Sequence, residues 1–278
     1  MPELPDLEVV KDILAPRIVG QTVRGVEVNR VGLVRTRAEG VASLVGRELH
    51  AISRRGKYLA FSFGSDLHLL VHLMRWAWLW HGEHGYPPTT ATDLRVAFED
   101  GTDLRLIEAR SPRLAAAWVV SDLNAAEPLQ NLGSEPLLEA FTVDVLRGLV
   151  AGRRRPLKRV LTDQSLIAGI GNAYADEILF RARLSPVRYG HTLTAEEQEH
   201  LWRAIGDTLR WAIAEIRGRT GDDLFEREIR DFLSVHGRKG TPCPECGTPI
   251  AEILYDGART NYCPRCQGGS GGIPPRGG

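Results

Sequence analysis

Cysteine is missing from the whole chain before Cys243, methionine occurs only twice, and neither sign of charge predominates, since 35 Lys and Arg stand against 35 Asp and Glu in 278 residues. Each shortage excludes something. Without cysteines, the body of the chain cannot be a disulfide framework. No run of about 18 apolar residues occurs, so no transmembrane helix is predicted. The acidic first residues lack the basic and apolar regions of a signal peptide, which makes a cytoplasmic location the expectation. A net charge of zero removes the global basic signature of a nucleic-acid binder, so any such role must rest on where charge is placed. With 43% hydrophobic and 25% charged residues, the composition is that of a folded globular chain with material for two domains.

Charge is clustered in three places: Arg54-Arg55 with Lys57, Arg153-Arg154-Arg155 with Lys158 and Arg159, and Arg238-Lys239. Taken alone, each cluster reads equally as a solvated face. The four cysteines, Cys243, Cys246, Cys263 and Cys266, follow a C-x2-C-x16-C-x2-C pattern. In an intracellular chain that spacing predicts one structural zinc ion held by four thiolates.

The first eight residues, Met1-Pro2-Glu3-Leu4-Pro5-Asp6-Leu7-Glu8, combine two prolines and three carboxylates. If Met1 is removed, Pro2 becomes the terminus and offers a rigid secondary amine. Such an amine attacks an aldehyde-level carbon to give an iminium, an electron sink. Glu3 is then placed to move protons. Pro5, Asp6 and Glu8 also form a helix-start signal, and Leu7, Val10, Ile13 and Leu14 recur at helical spacing, which predicts an amphipathic helix ending near Gly20. The helix signal leaves Pro2-Glu3 unexplained.

Beyond it, short apolar or alternating segments broken by polar residues predict an antiparallel sandwich of about eight strands over residues 20–120. These include 59–63, a long run 67–80, and 96–98 with 104–106 around the turn dipeptide Asp100-Gly101. Trp78 and Trp80 read as core or a domain contact, Trp76 is left open between that and base stacking, and His68 and His72 read as structural. A stretch rich in Asn, Pro, Gly and Ser at 121–137 marks a boundary, after which helices are predicted at 141–150, 157–162 and, from the capping box Thr194-x-x-Glu197, through Leu201, Ile205, Leu209, Ile213 and Ile216. Between the last two, Gly169 and Gly171 permit close backbone approach. Asn172 sits where a helix N-cap presents N–H groups to a phosphate.

MPELPDLE resembles the start of the formamidopyrimidine-DNA glycosylase/endonuclease VIII family, usually MPELPEVE. Arg54-Arg55-Gly56-Lys57-Tyr58-Leu59 resembles that family's RRGKYL segment, 163–180 its helix–two-turns–helix signature, and 235–250 its entry to a zinc-bearing β-hairpin. The resemblance implies a multidomain α+β fold: an N-terminal catalytic β-sandwich with an N-terminal helix (1–130), a helical helix–two-turns–helix DNA-binding domain (131–234), a zinc-finger hairpin (235–267) and a disordered tail (268–278). It implies a monomeric, nucleoid-associated base-excision repair enzyme that binds damaged or abasic duplex DNA in a cleft, excises an oxidised base and cleaves the strand by β- or β,δ-elimination. It also implies roles: Pro2 as nucleophile, Glu3 as acid and base, Lys57 as active-site lysine, and Lys158, Asn172, Arg113, Arg259 and Arg75 as DNA contacts, with structural zinc. A non-catalytic binder of damaged or branched DNA is the competing class, and a zinc-ribbon interaction protein a third.

Four positions depart from the family pattern. Asp6 stands for glutamate. The HLGMSG-like segment reads His72-Leu73-Met74-Arg75-Trp76-Ala77, with Arg75 where the duplex-filling methionine is expected. The DPRRFG-like segment reads Ser111-Pro112-Arg113-Leu114-Ala115-Ala116, with Ala115 in place of a wedge phenylalanine. Arg259 lies four residues before Cys263 rather than five. These departures, together with the short segment 218–240, predict a preference for abasic sites and oxidised pyrimidines over 8-oxoguanine, with weak discrimination of the opposite base.

Overall fold

A computed structural model of the chain describes residues 1–36, 40–84, 91–151, 154–255 and 257–268. Arg153 and the tail beyond Gly268 lie outside the described residues. The chain divides into two compact units, Met1–Asn131 with Ile213–Ile229, and Leu132–Ala212 with Arg230–Gly278.

The first unit opens with α1 (Leu4–Ile18), continues through β1 (Val23–Val28), a 3-10 turn (Val41–Leu44), β2 (Ala51–Arg55), β3 (Tyr58–Ser62), β4 (His68–His72), β5 (Trp78–Glu83), β6 (Thr92–Phe98), β7 (Thr102–Ile107) and β8 (Ala116–Val120), and ends in the single turn α2 (Glu127–Gln130). The strands form two antiparallel sheets, ordered β1-β6-β7-β5 and β2-β3-β4-β8. Period-two alternation explains the arrangement. Leu59, Phe61 and Phe63 on one sheet, and Leu94, Val96, Phe98, Leu104 and Leu106 on the other, join one buried cluster. Leu7, Val10 and Leu14 of α1 bring a helical stripe to the same cluster, which also takes Leu224 and Phe225 from the segment after the last helix. Burying a side chain the size of Phe61 contributes about 1.5–3 kcal/mol.

The apolar run 67–80 is not one strand. It splits into β4 and β5, which belong to different sheets, and the turn between them carries Met74 at φ 52. The family-like segment has glycine at that place; a side chain there costs about 1–2 kcal/mol. A bond from the Met74 amide to His72 Nδ1 at 3.0 Å offsets part of that cost. Trp76 therefore sits in the turn, not on the face shared by Trp78 and Trp80.

The second unit holds α3 (Val143–Ala151), α4 (Leu157–Thr162), α5 (Asn172–Arg181), a 3-10 turn (Gly190–Thr192) and the hairpin β9 (Ala251–Tyr255) and β10 (Ala258–Tyr262). It also holds α6 (Ala195–Thr220) as far as Ala212. The Thr194–Glu197 capping box forms as expected, at 2.8 and 3.2 Å, and Leu201, Ile205, Leu209 and Ile216 are buried while Ile213 is only partly so. Helix α3 starts at Val143, two residues later than the pattern suggests, with Phe141 packed below it as the carbonyl partner of Trp202 Nε1 at 2.7 Å. Between α4 and α5 the chain makes two turns, fixed by Gln164: its Oε1 accepts from the Gly169 amide at 2.9 Å and its Nε2 donates to the Ile170 carbonyl at 2.7 Å. Gly169 adopts φ 91, and a Cβ at Gly133, on the segment paired with this stretch, would lie 2.2 Å from the Leu166 carbonyl oxygen, so both positions demand glycine. Among the described residues no helix is long and apolar enough to cross a membrane.

Candidate active site

In the first unit, the start of α1 gathers the predicted catalytic groups. Glu3 is the N-cap, and its amide donates to Asp6 Oδ2 at 2.8 Å while its own carboxylate accepts from the Asp6 amide, a closed capping box. Both carboxylates are buried, at 4% and 0% exposure. The shorter Asp6 thus closes the box locally, which answers what replaces the usual glutamate there. Lys57 follows the turn at Gly56 (φ 58), is 7% exposed, and feels both acids. Burial holds its ammonium below the usual lysine range, while Glu3 and Asp6 act in the opposite direction. Arg54, from the same basic cluster, turns inward and pairs with Glu8 at 2.8 Å.

His72 stands next to this group. Burial, and then the Lys57 charge, press its imidazole down to about 4, and its Nδ1 accepts from the Met74 amide as a neutral ring must. Its ring meets Tyr58 edge-on with centroids 4.6 Å apart.

Pro2 lines a cavity of about 270 Å³ together with Arg75, Trp76, Trp78, Arg110, Phe225 and the run Glu226-Arg227-Glu228. Arg75 is exposed, and Trp76 is 40% exposed beneath the Arg110 guanidinium, 4.7 Å from the ring centre. The Met1 amino group pairs with Glu228 Oε1 at 2.6 Å. Arg113 is drawn back instead: its guanidinium meets the buried Asp93 at 3.0 Å, and Asp93 also takes Arg30 at 2.7 Å. Glu108 accepts the amides of Leu114 and Ala115, both at 3.0 Å, which buries Ala115 and leaves Leu114 as the exposed apolar side chain of that loop.

In the second unit, α5 and the hairpin meet. The N-cap is Gly171, so Asn172 is the first helical residue rather than the cap. Its Nδ2 donates to the Arg259 carbonyl at 2.8 Å, and the Arg259 side chain is exposed on β10. Lys158 departs most from expectation. It is 4% exposed and its ammonium donates to Asp176 Oδ1 (2.6 Å), Thr260 Oγ1 (2.9 Å) and the Arg259 carbonyl (3.1 Å). Three donors meeting three acceptors turn this lysine inward, where it fastens the hairpin to the helices.

Asp176 and Glu177, to which the sequence alone assigns no role, complete that joint. Asp176 Oδ2 accepts from His236 Nδ1 at 2.8 Å and from the Asn261 amide at 3.1 Å. Glu177 accepts the consecutive amides of Ser234, Val235 and His236 at 2.9 to 3.0 Å. Burial still leaves the Glu177 carboxyl above its ordinary range. Two adjacent acids on the buried face of an otherwise apolar helix are the signal that could have revealed them.

The sulfur atoms of Cys243, Cys246, Cys263 and Cys266 all lie within 4.8 Å of one another, with Cys243 and Cys266 at 3.9 Å and Cys246 and Cys263 at 3.4 Å. A zinc–sulfur bond of about 2.3 Å puts the sulfurs of a tetrahedral site about 3.8 Å apart, so the four thiols fit one zinc ion. Gln267 anchors the site, accepting from the Cys263 amide at 2.8 Å and donating to the Leu184 carbonyl at 3.0 Å.

A two-sheet unit with buried acids at its amino end, a double-turn helical unit and a four-cysteine hairpin match, in order, three described protein families. Residues 1–113 match the formamidopyrimidine-DNA glycosylase N-terminal domain, 132–222 its H2TH domain, and 240–268 the zinc finger found in FPG and IleRS. The chain belongs to the formamidopyrimidine-DNA glycosylase family of enzymes. It is 38% identical over 276 residues to the formamidopyrimidine-DNA glycosylase of Thermus thermophilus, covering 96% of this chain and 99% of that one. It superposes on the crystal structure of MutM (Fpg) from that organism with TM-score 0.83 at 34% identity, covering 98% and 100%. It is similar also to Lactococcus lactis Fpg in complex with an oxidised-pyrimidine-containing DNA, with TM-score 0.86 at 30% identity over 96% and 99% of the two chains.

Proposed function

We propose that this chain excises damaged bases from duplex DNA and then cuts the strand at the emptied sugar, with Pro2 as the covalent nucleophile once Met1 is removed. The observation that carries the reading is Pro2 on the wall of a cavity of about 270 Å³, next in the chain to the buried Glu3 carboxylate. The damaged nucleotide leaves the stack at a cost of a few kcal/mol, which contacts to the backbone offset. Arg259 and Asn172 in the second unit, and Arg75 and Lys57 in the first, supply such contacts, while Lys158 holds the Arg259 backbone in place. Arg113 contributes through the loop it steadies.

In this reading the Pro2 nitrogen attacks the sugar C1′ and Glu3 protonates the ring oxygen as the base departs. The iminium acidifies C2′, and loss of that proton expels the 3′ phosphate by β-elimination. Zinc takes no step in this sequence; when bound it orders the hairpin.

The departures at Arg75 and Ala115, together with the segment 218–240, support abasic sites and oxidised pyrimidines as preferred substrates. Borohydride should trap the processed protein on abasic-site duplex, and Pro2→Gly should lose most of the adduct. On a panel of single-lesion duplexes, thymine glycol and dihydrouracil should be cut faster than 8-oxoguanine opposite cytosine. Equal trapping by a protein with a blocked amino terminus would sink the mechanism, and an order-of-magnitude preference for 8-oxoguanine would sink the substrate ranking.

A further inference from the structure

One group in this chemistry is still unassigned: the base that takes the proton from Pro2. A secondary amine at the end of a chain is protonated near neutral pH, and an ammonium has no lone pair with which to attack. Glu3 is engaged in this reading with the sugar ring oxygen, and its carboxylate also takes the Asp6 amide. The segment following α6 supplies a second carboxylate. Glu228 pairs with the chain's amino nitrogen at 2.6 Å and lines the same cavity as Pro2. Removing Met1 moves that nitrogen by at most one residue, about 3.8 Å, which a glutamate side chain covers by rotation.

The chain leading to Glu228 is anchored. Arg17 donates to the Asp222 carbonyl, Arg217 pairs with Asp12, and Leu224 and Phe225 pack on the sandwich core. These contacts, at residues 217–225, tie the chain leading to Glu228 to α1 and to the core beneath it.

We infer that Glu228 is a catalytic residue, the general base that accepts the proton of the Pro2 ammonium and returns it to the departing oxygen. This rests on Pro2 being the nucleophile. At an abasic aldehyde the Pro2 ammonium gives one proton to the Glu228 carboxylate. The neutral amine adds to C1′, with its remaining proton passing to the former carbonyl oxygen, and forms a carbinolamine. The Glu228 carboxylic acid then protonates that hydroxyl, water leaves, and the iminium and the carboxylate remain.

The experiment uses the processed full-length protein and abasic-site duplex under single-turnover conditions, reading the rate of borohydride-trapped adduct. Glu228→Ala should slow trapping about 100-fold, the scale of general base catalysis, with DNA affinity unchanged. Added acetate, at ionic strength matched with chloride, should restore part of the rate in Glu228→Ala and leave wild type unaffected. Glu228→Gln, which keeps the shape and lacks the base, should be as slow as the alanine variant. Trapping by either variant at the wild-type rate, or a slowed Glu228→Ala that acetate does not rescue, overturns the assignment. Failure of wild type itself to trap through Pro2 would overturn the underlying function instead, so the two failures are distinguishable.

Discussion

At the scale of single residues, the polar groups near the amino terminus are set by burial more than by type. His72 is readable as structural because no second metal ligand accompanies it. What the sequence does not show is that Lys57 stands close by, since that neighbour comes from a different part of the sheet. A buried imidazole held at about 4 contributes stability with a definite sign. Above its ordinary value of 6.5 the ring is neutral folded or unfolded. As pH falls from 6.5 towards 4 the unfolded chain takes up a proton that the fold refuses, so stability is lost across that window, by up to about 3 kcal/mol. His72→Gln should therefore narrow its deficit relative to wild type as pH is lowered from 7 to 4 in thermal or urea unfolding. A difference between the two proteins that stays constant over that range would show that the ring does not titrate as described.

At the scale of elements, local signals are legible and distant partners are not. The capping box of α6, the turn at Asp100-Gly101 and the glycine-rich link before α5 are visible because each is written in neighbouring residues. Lys158 misleads for the opposite reason: its partners Asp176 and Thr260 lie 18 and 102 positions away. The apolar run 67–80 hides a sheet change because hydrophobicity alone does not show which face a residue takes. The joint between α5 and the hairpin makes a strong demand on stability. With Lys158 and Asp176 both almost fully buried, Asp176→Ala removes the carboxylate bonded to the buried ammonium and should destabilise the protein by about 3–5 kcal/mol. The double replacement Lys158→Met with Asp176→Leu should recover much of that loss in chemical denaturation. A double variant no more stable than Asp176→Ala would show that the hydrogen bonds to Thr260 and Arg259, rather than the charge pair, carry the joint.

At the scale of the whole molecule, the neutral total conceals a sorting of charge. Several arginines and Lys158 are taken up inside the fold by Asp93, Asp103, Glu8 and Asp176. Arg75, Arg110 and Arg259 are left facing outward. Composition does not reveal that division, whereas the cysteine spacing reveals the metal site completely, because four ligands in two short knuckles need no distant partner. Zinc binding of this kind is worth on the order of 10 kcal/mol of ordering. Stripping zinc from the full-length protein with a chelator should lower its affinity for abasic-site duplex, and returning zinc should restore it. A stripped protein that binds DNA as before yet cannot cleave would assign the metal to catalysis.

The pairing of the Met1 nitrogen with Glu228 has a consequence for the life of the molecule. While Met1 is attached, the Pro2 nitrogen is an amide with no reactivity towards aldehydes, and the carboxylate that would serve it is occupied by the extra amine. If Pro2 and Glu228 act as proposed, a copy that keeps Met1 is latent, because its nucleophile is capped and its base engaged, and removal of Met1 releases both. On that reading, a copy that keeps Met1 should fold and hold zinc yet give no borohydride-trapped adduct.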